Sequence, residues 1–141
     1  MATYNKFQDF SEQLVIGTHD FDTNVFKVYL SNTVPSASAD AIKADLPEIT
    51  AGNGYTAGGA TTTITVAEVT GTTTVSGTQV VFTASGGAIA AFQYVVLYND
   101  TAVNKNLIAW WDYGSALTLN NGESFTVKFS NTTPGAIFTL A

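Results

Sequence analysis

Residues 91–100 read A-F-Q-Y-V-V-L-Y-N-D, residues 101–106 read T-A-V-N-K-N, and residues 107–119 read L-I-A-W-W-D-Y-G-S-A-L-T-L. The first and last of these segments are dense in the β-branched and aromatic residues that suit a pleated surface. The middle one is polar and asparagine-rich, which suits a loop between antiparallel strands. Both tryptophans and three of the six tyrosines lie in this stretch, so no other part of the chain can bury as much apolar surface. It is the expected central hairpin of a β domain. Neighbouring residues of a strand point to opposite faces. Trp110 and Trp111 therefore either both pack inside, or one of them turns outward to a protein interface or a sugar ring.

Downstream, residues 116–119 and 124–129 flank Asn120-Asn121-Gly122-Glu123, and Asn-Gly is the strongest short-range hairpin signal. Phe125, Val127 and Phe129 alternate with Thr126, Lys128 and Ser130, the pattern of a strand with one buried face. Residues 136–140 form a last short strand. Upstream, residues 62–66, 72–75 and 79–83 are short threonine- and valine-rich strands separated by Gly71 and Gly77. Residues 25–30 form a strand without polar alternation, expected to be covered on both faces.

Residues 51–59, A-G-N-G-Y-T-A-G-G, hold four glycines. No Gly-Lys-Ser/Thr follows, and the run leads into a strand rather than a helix, so neither the phosphate loop nor the dinucleotide fingerprint fits. A long loop with positive φ at several positions fits instead. Near the start, Phe7, Phe10 and Leu14 fall on one helical face, giving a short helix over residues 5–14 with Asn5 and Gln8 as a capping pair. Its phenylalanines dock either on the chain's own sheet or on a neighbouring subunit. Ser38 is placed to cap a second short helix over 39–45, ended by Pro47.

About eight short strands with one or two short N-terminal helices specify a mainly β chain. The expected fold is a single-domain antiparallel β-sandwich or jelly-roll-like barrel. Residues 1–23 form its N-terminal helix or arm and residues 24–141 its body. The 141-residue length suits one domain.

Composition narrows the function. Five scattered lysines, no arginine and a net charge of −6 disfavour binding to a nucleic-acid backbone or to an anionic membrane. Apolar runs at 88–92 and 94–98 are far short of the roughly 20 residues that span a bilayer, and residues 1–10 do not read as a secretory signal. With no cysteine, thiolate chemistry is absent. His19-Asp20-Phe21-Asp22 reads as a turn in which the aspartates cap backbone N–H groups. A single histidine without a second acidic cluster gives no metal site. No Gly-x-Ser-x-Gly elbow is present, and Asp100 and Asp112 read as turn acids rather than a glycosidase pair. The expectation is a protein without catalytic residues, cofactor or metal. Its charged fraction of 11% is well below the roughly 25% of an average domain, which suits a surface partly covered by partners.

Three segments together resemble a family of small virion structural proteins of tailed bacteriophages. They are Phe7-Gln8-Asp9-Phe10 with residues 17–22, the run from Glu48 to Gly59, and Trp110-Trp111-Asp112-Tyr113-Gly114 leading to Asn121-Gly122. The resemblance implies a capsid decoration, or cement, protein. Such a protein is made in the host cytoplasm and bound to the outer surface of the head, where it bridges neighbouring capsomers. Its partners are then the major capsid protein and copies of itself, as a dimer or trimer. The contact residues expected on this basis are Phe7, Phe10, Tyr55 and Trp111. The alternative it implies is a tail- or fibre-associated component, with an exposed Trp or Tyr binding glycans.

Overall fold

The computed structural model describes residues 2–141. Strand accounts for 46% of the chain and helix for 7%, so the chain is mainly β, and every strand pairing is antiparallel. The largest sheet has five strands. In spatial order they are β1 (Asn5–Lys6), β8 (Leu107–Leu119), β7 (Ile89–Asn99), β2 (Phe26–Ser31) and β3 (Ala60–Thr62). A second sheet holds β10 (Gly135–Leu140), β5 (Thr72–Gly77) and β4 (Ile64–Val69), and a third pairs β6 (Val80–Thr83) with β9 (Ser124–Val127). The sheets do not close into a barrel.

The β7–β8 hairpin is the centre of the largest sheet, as its composition predicts. Val96, Leu97 and Tyr98 of β7 and Leu107, Ile108 and Ala109 of β8 are buried without alternation, because both faces of the sheet are covered. β2 lies on the other side of β7, with Phe26 opposite Asn99 and Ser31 opposite Tyr94. It too is buried along most of its length. One cluster of buried side chains runs from Phe7 to Ile137. Phe7 and Phe10, from the segment expected to form the N-terminal helix or arm, belong to it, with Tyr4, Leu14 and Phe21 packed against it.

Four expectations require correction. The helix, α1, spans Asp9–Val15, and no side chain caps its start. Asn5 and Lys6 instead add a short strand beside Trp110 and Ala109. The second helix is only a 3-10 turn at Lys43–Asp45. Local polar side chains hold that segment in other shapes, since Asp40 accepts from the Ser36 N–H and Asp45 from the N–H groups of Ala41 and Ile42. The strand expected over 62–66 is broken at Thr63. Here the chain leaves the first sheet for the second, with Thr62 Oγ1 donating to the Thr78 carbonyl and Thr63 N–H to Thr78 Oγ1. Finally, Asn121-Gly122 does form a turn, but the strands around it pair elsewhere, β8 with β7 and β9 with β6. The turn is held by residues 84–86: Gly122 N–H donates to the Ala84 carbonyl and Gly86 N–H to Asn121 Oδ1.

Candidate interaction surface

The four expected contact residues lie inside the chain. Phe7, Phe10, Tyr55 and Trp111 are exposed by only 0%, 3%, 2% and 8%. Phe7 packs on Trp110 at 4.6 Å between ring centroids, and Phe10 meets Phe138 and His19, each at 5.4 Å. Trp111 lies against Tyr4 and Phe129 on the opposite face of β8 from Trp110. None of the four faces outward from this chain: the bulk of Phe7, Phe10 and Trp111 covers the two faces of the sheet.

Tyr55 instead fastens the glycine-rich loop. Its hydroxyl accepts from the buried Leu30 N–H at 3.1 Å and donates to Glu48 Oε2 at 2.8 Å. Glu48 also takes the Gly58 N–H and the Lys43 ammonium. Burial works against the Glu48 charge, but these donors outweigh it and hold the carboxyl below its usual range. The Lys43 ammonium lies over the rings of Tyr29 and Tyr98. Burial pushes the hydroxyls of Tyr29, Tyr55 and Tyr98 upward, so all three remain neutral donors. The loop takes positive φ at Gly52, Asn53, Gly54, Gly58 and Gly59, as its composition predicts. The cluster therefore closes a loop on itself.

A second polar cluster centres on Asn99. Its Oδ1 accepts from Thr101 and Ala102, and its Nδ2 faces the Thr18 carbonyl, Asn24 Oδ1 and His19 Nδ1. The turn after His19 is the expected one at its first aspartate: Asp20 accepts from the N–H groups of Asp22 and Thr23 and from the Thr23 hydroxyl. The Thr23 hydroxyl is the main reason that the Asp20 carboxyl lies below its ordinary range. Among the described residues no group of three or more His, Asp or Glu side chains is arranged to hold a metal ion, and no helix is long and apolar enough to cross a membrane.

Two open hollows, of about 730 and 310 Å³, adjoin along Leu14, Phe138 and Leu140. The larger runs between α1 with the His19 turn and the face of the β10–β5–β4 sheet, where it reaches Val66 and Val75. Around them Val15, Ile16, Val66 and Leu140 are 85%, 65%, 45% and 59% exposed. These are unpartnered aliphatic side chains, on a surface that also exposes Val25, Val34, Val69, Val81 and Val103. Val15 and Ile16 fall off the Phe7–Phe10–Leu14 face, so the helical pattern of the sequence does not mark them. A smaller cleft of about 230 Å³ lies elsewhere, beside Trp111, Tyr113 and Phe125. It is below the roughly 300 Å³ at which small-molecule pockets begin. Comparisons with known protein families, curated proteins and solved structures find no match for the chain.

Proposed function

We propose that this chain is a virion structural protein, a decoration subunit that binds the outer surface of a tailed-phage head and stabilises it by bridging capsomers. On this reading its sheets act as a β-sandwich body, the partners are the major capsid protein and further copies of the chain, and no reaction is performed. The observation that carries the reading is the aliphatic strip of Val15, Ile16, Val66 and Leu140 beside the α1 groove. Exposed aliphatic groups of this kind mark surfaces that a partner covers. The resemblance of the three sequence segments to phage virion proteins supports the same reading. The clusters around Glu48 and Asn99 are bonded internally and serve the fold.

The test is addition of the purified protein to undecorated capsids. Co-sedimentation with the shells and a higher shell melting temperature are expected. Ile16→Glu combined with Leu140→Glu removes both effects while the free protein keeps its circular dichroism spectrum. Failure of the unmodified protein to co-sediment with any shell would sink the reading. The Trp111–Tyr113–Phe125 cleft supports a second reading, a tail- or fibre-associated glycan binder. Tyr113, 53% exposed, would supply the stacking face. Glycan-array signal lost on Tyr113→Ala, without shell binding, decides for it.

A further inference from the structure

Apart from the single carboxylate of Glu68, the edge of the second sheet formed by β4 lacks the devices by which an edge is usually blunted. Exposed sheet edges present unpaired backbone N–H and C=O groups, and proteins protect them by shortness, bulges, lysine, proline or a cover. The other edges here are protected. β1 and β3 have two and three residues, β6 and β9 have four each, and β10 is bulged between Ala136 and Phe138. β4 has six residues, I-T-V-A-E-V, in unbroken register with β5 from Ile64 opposite Gly77 to Val69 opposite Thr72. It contains no proline and no lysine, and five of its six residues are exposed.

The direction of its backbone groups follows from the turn. Thr70 and Gly71, at φ 48° and 83°, make a two-residue connection of the primed type, whose closing pair is hydrogen-bonded. The Thr78 N–H donates to the Thr63 carbonyl at the other end of the ladder. Bonded and non-bonded pairs alternate in an antiparallel ladder. Thr65, Ala67 and Val69 therefore face β5, and the N–H and C=O groups of Ile64, Val66 and Glu68 face away from it.

From this geometry we infer that β4 pairs with β4 of a second copy of the chain, antiparallel about a two-fold axis at Val66. The register is self-complementary. Val66 faces the partner's Val66, and Ile64 faces the partner's Glu68, so the three outward residues of each strand form three bonded pairs. The two sheets become one, in the order β10-β5-β4-β4-β5-β10. Charge fits this register. Each chain carries −6, but the edge has one carboxylate. The two Glu68 positions lie four residues apart along the ladder, about 13 Å at the rise of a strand, which is beyond the screening length in physiological salt. The aliphatic groups Val66 and Val69, 45% and 68% exposed, lie at the same edge. The α1 groove, which opens at Val66, is continued into the second copy. This pairing extends the proposed self-association by naming its surface, and its test does not depend on capsid binding.

The experiment measures the mass of the full-length chain in solution and traps the register. Sedimentation should give twice the 14.8 kDa chain mass. Because the chain has no cysteine, Val66→Cys forms a covalent dimer under mild oxidation, whereas Val103→Cys, at a position 97% exposed, does not. Val66→Lys, placed on an already exposed side chain, leaves a folded monomer. In hydrogen exchange the amides of Ile64, Val66 and Glu68 are protected in the dimer and exposed in that monomer. A wild-type monomer at all accessible concentrations overturns the pairing, and so does a dimer in which Val66→Cys does not cross-link. Protection of these amides only when capsid protein is added overturns it in favour of a foreign strand. A wild-type monomer that still binds shells removes the pairing and leaves the decoration reading standing.

Discussion

His19 is held as a neutral ring in one tautomer. The Asn99 amide is oriented by the N–H groups it accepts, so its nitrogen is the atom that faces His19 Nδ1, at 3.2 Å. Nδ1 therefore accepts, and the ring proton is on Nε2, which is buried without a hydrogen-bond partner among Phe10, Phe21 and Phe26. A second proton would set two donors against each other and place a charge among phenyl rings. Burial, opposed only by the Asp9 charge, lowers the pKa to about 4. The unfolded chain takes up this proton near pH 6.5 and the folded chain only near 4. Stability is thus complete above about pH 6.5 and falls as the pH drops toward 4, by about 3 kcal/mol in all. The carboxylates with lowered pKa values lose their contribution at more acidic pH, so the interval from 6.5 to 5 belongs to the histidine. Urea midpoints across that interval should fall for the wild type and stay level for His19→Phe. A slope retained by the variant would assign the effect elsewhere. Tyr55→Phe is the companion case. It strips the Leu30 N–H of its acceptor inside the core, and a buried donor left unmatched costs about 1–3 kcal/mol, to be read from the same titrations at neutral pH.

The elements show where pattern alone suffices and where it stops. Two glycines with similar positive φ have different surroundings. Gly71, in the β4–β5 turn, has open space where a Cβ would lie, so Gly71→Ala should cost only the left-handed strain, about 1–2 kcal/mol. Gly59 crosses the backbone of β2, and a Cβ there would lie 1.8 Å from the Val28 carbonyl oxygen. Gly59→Ala must push β2 and the glycine-rich loop apart, so its chemical midpoint should fall well below that of Gly71→Ala. Equal midpoints would mean that the loop does not sit on β2. The sequence shows two glycines with equal claims, since close approach of another strand leaves no local signature. The β7–β8 hairpin was legible because its bulk and its polar loop are contiguous. The partners of β9 and the break at Thr63 were not, because sheet switching is decided by groups distant along the chain, such as the Thr78 carbonyl that accepts from Thr62 Oγ1 sixteen residues away. The burial of the expected contact residues was hidden for a related reason. Large aromatics on an acidic, charge-poor chain look like anchors, yet Phe7, Phe10 and Trp111 are what cover the central sheet. The strip that is exposed consists of small aliphatics with no pattern of their own.

At the scale of the molecule the governing quantity is charge. The chain carries −6, and three of its five lysines are already engaged in ion pairs, Lys27 and Lys105 sharing the Asp100 carboxylate and Lys43 with Glu48. Any two copies therefore repel at long range, whereas the β4 edge at which they are proposed to meet is close to neutral. Long-range repulsion between exposed charges is screened over about 30 Å at 0.01 M salt and about 8 Å at 0.15 M, while hydrogen bonds and apolar contacts are affected little. Self-association should accordingly strengthen as salt is raised from about 0.01 M to 0.15 M. A surface that paired oppositely charged patches would behave in the opposite way, weakening over the same range. Sedimentation equilibrium at the two ionic strengths separates these cases. A dissociation constant that falls with added salt fits strand pairing at β4, and one that rises would place the contact at a charged surface instead. Run on Val66→Lys, the same measurement should show no association at either ionic strength, because the two added ammonium groups would lie directly opposite each other at the two-fold axis, closer than the screening length at either salt.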